Sequence, residues 1–180
     1  MNEFREELLI KLSIPIYTIV IGIEILYSYW KHKHYYSTKG LLSNLYLTTL
    51  NFSLDILVRG VCLGVLWYFY QFQFIAIDKI AHPVLYWGAL LLAEDFMFYW
   101  MHRIDHYCRF FWAVHVTHHS SEEFNLTVGF RSSVFQPLYR FVYFIPLSLV
   151  GCDPLDVMFM YAATQIYGIF IHTKTVSTLG

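Results

Sequence analysis

LYWGALLLAEDFMFYWMHRIDHYCRFFWAVHVTHH, residues 85–119, decides how the rest of the chain is read. An apolar run leads directly into His102, His106, His115, His118 and His119, five of the chain's nine histidines. His102 and His106 are spaced i, i+4, and His115, His118 and His119 are spaced i, i+3, i+4. At about 100° per residue, each set falls on one face of a helix. Five imidazoles aimed at one place repel one another if protonated and satisfy little if neutral. A metal ion removes that conflict, because imidazole is a common ligand for iron, copper and zinc. The pattern predicts a metal site at the end of an apolar helix.

Outward from this stretch the chain stays apolar. Of its 180 residues 57% are hydrophobic and only 14% charged, with a mean hydropathy of +0.47. Soluble domains carry about 25% charged residues. The length suits one domain, residues 1–180. A net charge of −1 offers no basic field for nucleic acid. Cys62, Cys108 and Cys152 are scattered, odd in number and without ligand spacing, so they read as reduced fillers. MNEFREELLIK has more acids than bases and no cleavage site after it, which predicts a retained anchor rather than a removable signal.

A bilayer core needs about 20 apolar residues in a helix. Residues 12–30, 45–70 and 84–101 supply three such runs. Two more, 134–150 and 154–171, are joined by a Gly-Cys-Asp-Pro turn. Pro137 and Pro146 predict that the fourth run is kinked or re-entrant. Strand-like alternation is missing, which excludes a membrane barrel. The expected fold is therefore all-α: a multi-pass membrane bundle with the histidine site at the cytoplasmic face. Charge sets that orientation. Lys31, Lys33, Lys39, Arg103, Arg109, Arg131 and Lys174 fall on one side, against Arg5, Lys11 and Lys79 on the other. The same parity puts His172 on the histidine side, as a further candidate ligand.

Asp95 precedes His102 by seven residues and His106 by eleven, so all three share a helix face. A carboxylate in an apolar run is costly and usually functional; Asp95 is expected to orient a ligand imidazole. Glu94 points elsewhere. Asp55 and Arg59, spaced i, i+4, read as an internal ion pair, and Glu24 needs a partner from another helix. His32 and His34 read as loop residues, and His82 falls at the opposite face.

The stretch EDFMFYWMHRIDH resembles the acidic residue, Tyr-Trp and His-x-x-x-His of the fatty acid hydroxylase/sterol desaturase superfamily of membrane di-iron enzymes. FWAVHVTHHSSEEFNLTVGFRSS is similar to that superfamily's second histidine box and the tail after it, and QIYGIFIHT aligns His172 with its isolated histidine. Within the superfamily, the chain looks most like the alkylglycerol monooxygenase branch. The resemblance implies His102, His106, His115, His118, His119 and His172 as ligands to two irons. It implies an electron donor, O2 and a lipid substrate of sterol, fatty acyl or alkylglycerol type. Asn125 and Arg131 match the tail and would orient ligands or a substrate head group. The superfamily has a third His-x-x-His-His box after a Leu-Gly. The sequence given stops at Leu179-Gly180, so the resemblance also implies a C-terminally incomplete domain whose catalytic competence is open.

Two other classes fit parts of the pattern. A non-redox zinc site would use the same imidazoles to staple loops, with zinc able to replace iron. A bis-histidine haem protein needs isolated histidines on facing helices, which the clustered His-x-x-His-His disfavours.

Overall fold

The computed structural model describes residues 2–75, 77 and 82–175. Lys79, Leu179 and Gly180, on which parts of the topology and third-box expectations rest, lie outside them. The described elements are helical throughout: α1 (Asn2–Trp30), α2 (Thr38–Tyr70), α3 (Pro83–Tyr107), α4 (Arg109–His119), α5 (Leu126–Gly129), α6 (Ile145–Val150) and α7 (Pro154–Phe170). Their ends follow local chemistry. Ser37 caps α2 by accepting from the Gly40 amide at 3.0 Å. Pro83 opens α3 and Pro154 opens α7, where a missing amide costs nothing.

Among the described residues, α1 and α2 hold stretches long and apolar enough to cross a membrane, Lys11–Trp30 and Thr38–Tyr70. α3 and α7 instead pack together. Leu90, Val157, Met158 and Tyr161 meet Leu66, Phe144 and Leu147 in the buried core.

Residues 134–150 depart from a simple apolar span. They form two 3-10 turns, Gln136–Leu138 and Arg140–Phe144, followed by the six-residue α6. The prolines account for this, since each removes a backbone donor. Broken backbone inside an apolar layer must find partners within the protein. α2 supplies partners to residues 127–140 from one face. Asn44 donates to Thr127 Oγ1 at 3.0 Å, Thr48 to the Phe130 carbonyl at 2.9 Å and Asn51 to the Ser133 carbonyl at 2.8 Å. Asp55 then accepts from Arg140. The steps of four, three and four residues are those of a helix stripe. The broken segment therefore runs alongside α2 in the same direction, from the histidine end to the far end.

At that far end Gly151 stops α6 with φ +102°. A Cβ there would lie 1.9 Å from the Ile75 carbonyl oxygen, so the turn admits only glycine. The Phe74 amide donates to Leu149 O at 3.0 Å, and Tyr86 donates to Asp156 at 2.9 Å. At the opposite end, loop 31–37, the histidine helices and residues 172–175 come together.

Glu24 ties that end. Buried near the top of α1, it accepts from the Leu126 amide at 2.9 Å, from Thr175 at 3.2 Å, and from the hydroxyls of Tyr36 and Thr173. The partner the sequence required thus comes from three separate segments. The expected Asp55–Arg59 pair is present at 3.9 Å, but the intimate partner of Asp55 is Arg140, whose guanidinium also lies 4.4 Å from the Tyr161 ring centre.

Candidate metal centre

α3 carries His102 and His106, and the chain breaks at Cys108 and folds back as α4, carrying His115, His118 and His119. Folding back turns two local helix patterns into one cluster. One ring nitrogen from each of His102, His106, His115 and His119 lies within 4.8 Å of the others. His102 and His106 approach at 3.2 Å between Nε2 atoms, and His115 and His119 do the same at 3.2 Å. Imidazoles held about 2.0–2.1 Å from a tetrahedral ion stand about 3.3 Å apart, so the close pairs already match that spacing.

His118 and His172 form a second pair, with ring centres 5.2 Å apart. His118 Nδ1 donates to the Arg131 carbonyl and His172 Nδ1 to the Gly168 carbonyl, each at 2.7 Å. A carbonyl only accepts, so both protons sit on Nδ1 and both Nε2 lone pairs are free for a ligand. The pair joins the cluster through His118, whose ring centre is 5.0 Å from that of His119 and 5.5 Å from that of His115. His172 is brought in by a close approach of α5 to the end of α7. A Cβ on Gly129 would lie 2.9 Å from Ile169 Cα and 3.4 Å from His172 Cβ.

Burial and the neighbouring rings push the imidazoles toward the neutral form. His102 is lowered to about 4, His115 to about 3 and His118 to about 4. Neutral imidazole is the ligating form, so the set suits a cation. The cluster is closed at buried His115 and open at exposed His106 and His119. Trp112 leans over that opening, its ring centre 5.3 Å from His106 and 5.7 Å from His119. It falls three and seven residues before His115 and His119, a spacing that could have flagged it. A shallow cavity of about 310 Å³ beside the opening is lined by Tyr99, His102, Arg103, His106 and Tyr107.

The structure does not bring Asp95 to the histidines. It shares their face, but two turns lower, where that face is exposed. The buried stripe of α3 is the neighbouring one: Leu90, Glu94, Met101 and Asp105. Asp105 is the carboxylate that meets the cluster, with Oδ2 3.4 Å from His115 Nδ1. Asn125 is buried and caps α5, accepting from the Thr127 amide at 3.1 Å while donating to the Tyr35 carbonyl at 2.6 Å. Arg131 donates to the Thr117 carbonyl at 2.9 Å, to Asn44 at 3.2 Å and to Ser120. Its guanidinium is therefore spent on protein groups around the second histidine box. His32 and His34 sit in the loop after α1 with φ of 52° and 48°, and His82 precedes α3 at the other end.

Residues 87–180, just over half of the chain, match the fatty acid hydroxylase family. The chain belongs to that family. It is 36% identical over 95 residues to an alkylglycerol monooxygenase from Xenopus tropicalis, covering 52% of this chain and 21% of the relative. The human alkylglycerol monooxygenase is likewise 36% identical over 94 residues, again 52% and 21% of the two chains. The Caenorhabditis elegans protein of that name is 27% identical over 150 residues, covering 72% of this chain and 28% of its own. This member of the fatty acid hydroxylase family thus spans about a fifth of the length of the first two relatives. No solved structure matches it.

Proposed function

We propose that this chain carries the membrane-embedded core of an O2-dependent lipid monooxygenase, with the histidine end facing the cytoplasm. One observation carries the reading. Four imidazole nitrogens converge within 4.8 Å, beside a pair whose Nε2 atoms are freed by backbone hydrogen bonds. The family and the alkylglycerol monooxygenase relatives support an oxidoreductase acting on lipid. Seven lysines and arginines on the histidine side against three opposite support the orientation.

Iron is the metal that suits this proposal; His102, His106, His115 and His119 would hold one ion, and His118 and His172 would contribute ligands to a second. Bound there, iron would supply the reduction of dioxygen and the oxidation of an unactivated C–H bond, which no side chain achieves. The chain's own residues do the rest. The backbone carbonyls of Arg131 and Gly168 fix the ring orientations of His118 and His172. Trp112 limits water at the open side of the cluster. An apolar cleft of about 550 Å³ between α1, α2 and α5, lined by Ile14, Tyr17, Ile21, Leu45 and Phe130, is of a character to take an alkyl chain from the bilayer. An ether lipid such as an alkylglycerol is the substrate class the relatives favour.

Purified protein in lipid nanodiscs, loaded with iron and given reductant and O2, tests this. Reductant-dependent O2 uptake coupled to oxidation of an alkylglycerol is expected, and is lost in His115→Ala. The 3.2 Å nitrogen pairs also favour a second reading, a tetrahedral zinc site that only staples α3 to α4. Retention of zinc with no O2 uptake under any reductant would select it.

A further inference from the structure

Asp105 is fully buried, and His115 is only 3% exposed. The carboxylate lies 3.4 Å from His115 Nδ1, a buried atom that makes no hydrogen bond, so the approach is one of charge and dipole. Its own position is fixed from the broken segment. Tyr139 donates to Oδ1 at 2.9 Å and Gln136 donates to Oδ2 at 2.8 Å. One edge of the His115 ring thus faces a clamped carboxylate. The other edge, Nε2, faces His119 Nε2 inside the four-histidine cluster. A carboxylate only accepts, so it favours the tautomer with its proton on Nδ1 and leaves Nε2 unprotonated. His118 and His172 are oriented in the same sense, but by backbone carbonyls.

We propose that Asp105 is a positioning residue that selects the Nδ1-protonated tautomer of His115 and presents its Nε2 to a metal ion in the His102–His106–His115–His119 cluster. The inference rests on the metal-centre reading above. Carboxylates behind a ligand imidazole typically change metal affinity 10–100-fold, and that is the effect expected here.

The test uses the full chain in nanodiscs, made metal-free, with histidines labelled in the ring for nitrogen NMR. In the wild type, His115 is expected as the Nδ1–H tautomer, and finding it as Nε2–H overturns the assignment without any variant. In Asp105→Asn the tautomer should become mixed, and Co(II) used as the probe metal should bind roughly 10–100-fold more weakly. In a His115→Ala background the same substitution should add no further loss. An equal loss in both backgrounds would mean that Asp105 merely supports the fold, and would overturn the proposal. Wild-type protein that binds no Co(II), yet shows the Nδ1–H tautomer, would instead overturn the metal-centre reading beneath it.

Discussion

Asp105 stands 3.4 Å from His115 Nδ1, while Asp95, ten residues earlier on the same helix, is exposed. Helix periodicity says which residues share a face; it does not say which face will be covered. Asp95 lines up with His102 and His106, but that face is open two turns below the site. Asp105 lies on the covered stripe, and its partners Gln136 and Tyr139 are 31 and 34 residues away. The histidines were legible because their spacing is local. The carboxylate behind them was not, because its environment is made by a distant segment. Replacement of Asp95 by Asn should therefore leave metal affinity within about twofold of the wild type, where a residue behind a ligand would change it 10–100-fold. Competition titration with a chromophoric chelator measures this.

The lowered imidazoles also give a pH dependence. Between the unfolded histidine value of about 6.5 and the folded values of about 4 for His102 and His118 and about 3 for His115, the unfolded chain binds more protons than the folded one. Stability of the metal-free protein should thus be fully present above about pH 6.5 and fall as pH drops toward 4. Metal should suppress that loss, since bound imidazoles cannot protonate. Melting curves at pH 7.5 and 5, with and without Co(II), check the sign. An apo protein equally stable at both would contradict it.

At the scale of elements, the segment after the second histidine box was only partly legible. Pro137 and Pro146 announced a break, yet the sequence offered no way to see that the segment would run along α2. The stripe Asn44, Thr48, Asn51 and Asp55 is visible afterwards as a helix pattern, but its meaning depends on which segment lies against it. Arg140→Leu should be the most damaging single change there. It leaves Asp55 uncompensated in a nearly buried site, where loss of one partner typically costs about 3–5 kcal/mol. Chemical unfolding of the detergent-solubilised protein would read it, and a cost below about 1 kcal/mol would show that Arg59 compensates. Gly129→Ala acts differently. The added methyl meets the α7 backbone at Ile169 and crowds His172, an overpacking of about 1–3 kcal/mol. Metal held by His118 and His172 should weaken in this variant, while the four-histidine cluster keeps its own.

Across the whole molecule, the two ends are set by chain parity. α1 rises to Glu24 and the histidine end, α2 descends, α3 returns, the broken segment descends and α7 returns to His172. Only α1 and α2 have the length and apolarity of spans among the described residues. The five apolar runs of the sequence correspond to α1, α2, α3, the broken segment and α7. The placement of ends survives, because His118–His172 and Glu24–Thr173 contacts need only parity. With exposed Cys108 replaced by Ser, single cysteines at Ser121 and Lys174 should label from one side of sealed vesicles, and one at Gln73 from the other. Labelling of Ser121 and Lys174 from opposite sides would separate the histidines that the structure joins.

On the proposed function, these six histidines would form one iron centre at one end of the bundle. Iron K-edge X-ray absorption on the purified, iron-loaded chain tests it most directly. The prediction is a nitrogen-rich first shell at about 2 Å with the multiple scattering of several imidazoles, diminished in His115→Ala and unchanged in His32→Ala. Iron that washes out, or that shows only oxygen ligands without imidazole scattering, would contradict it.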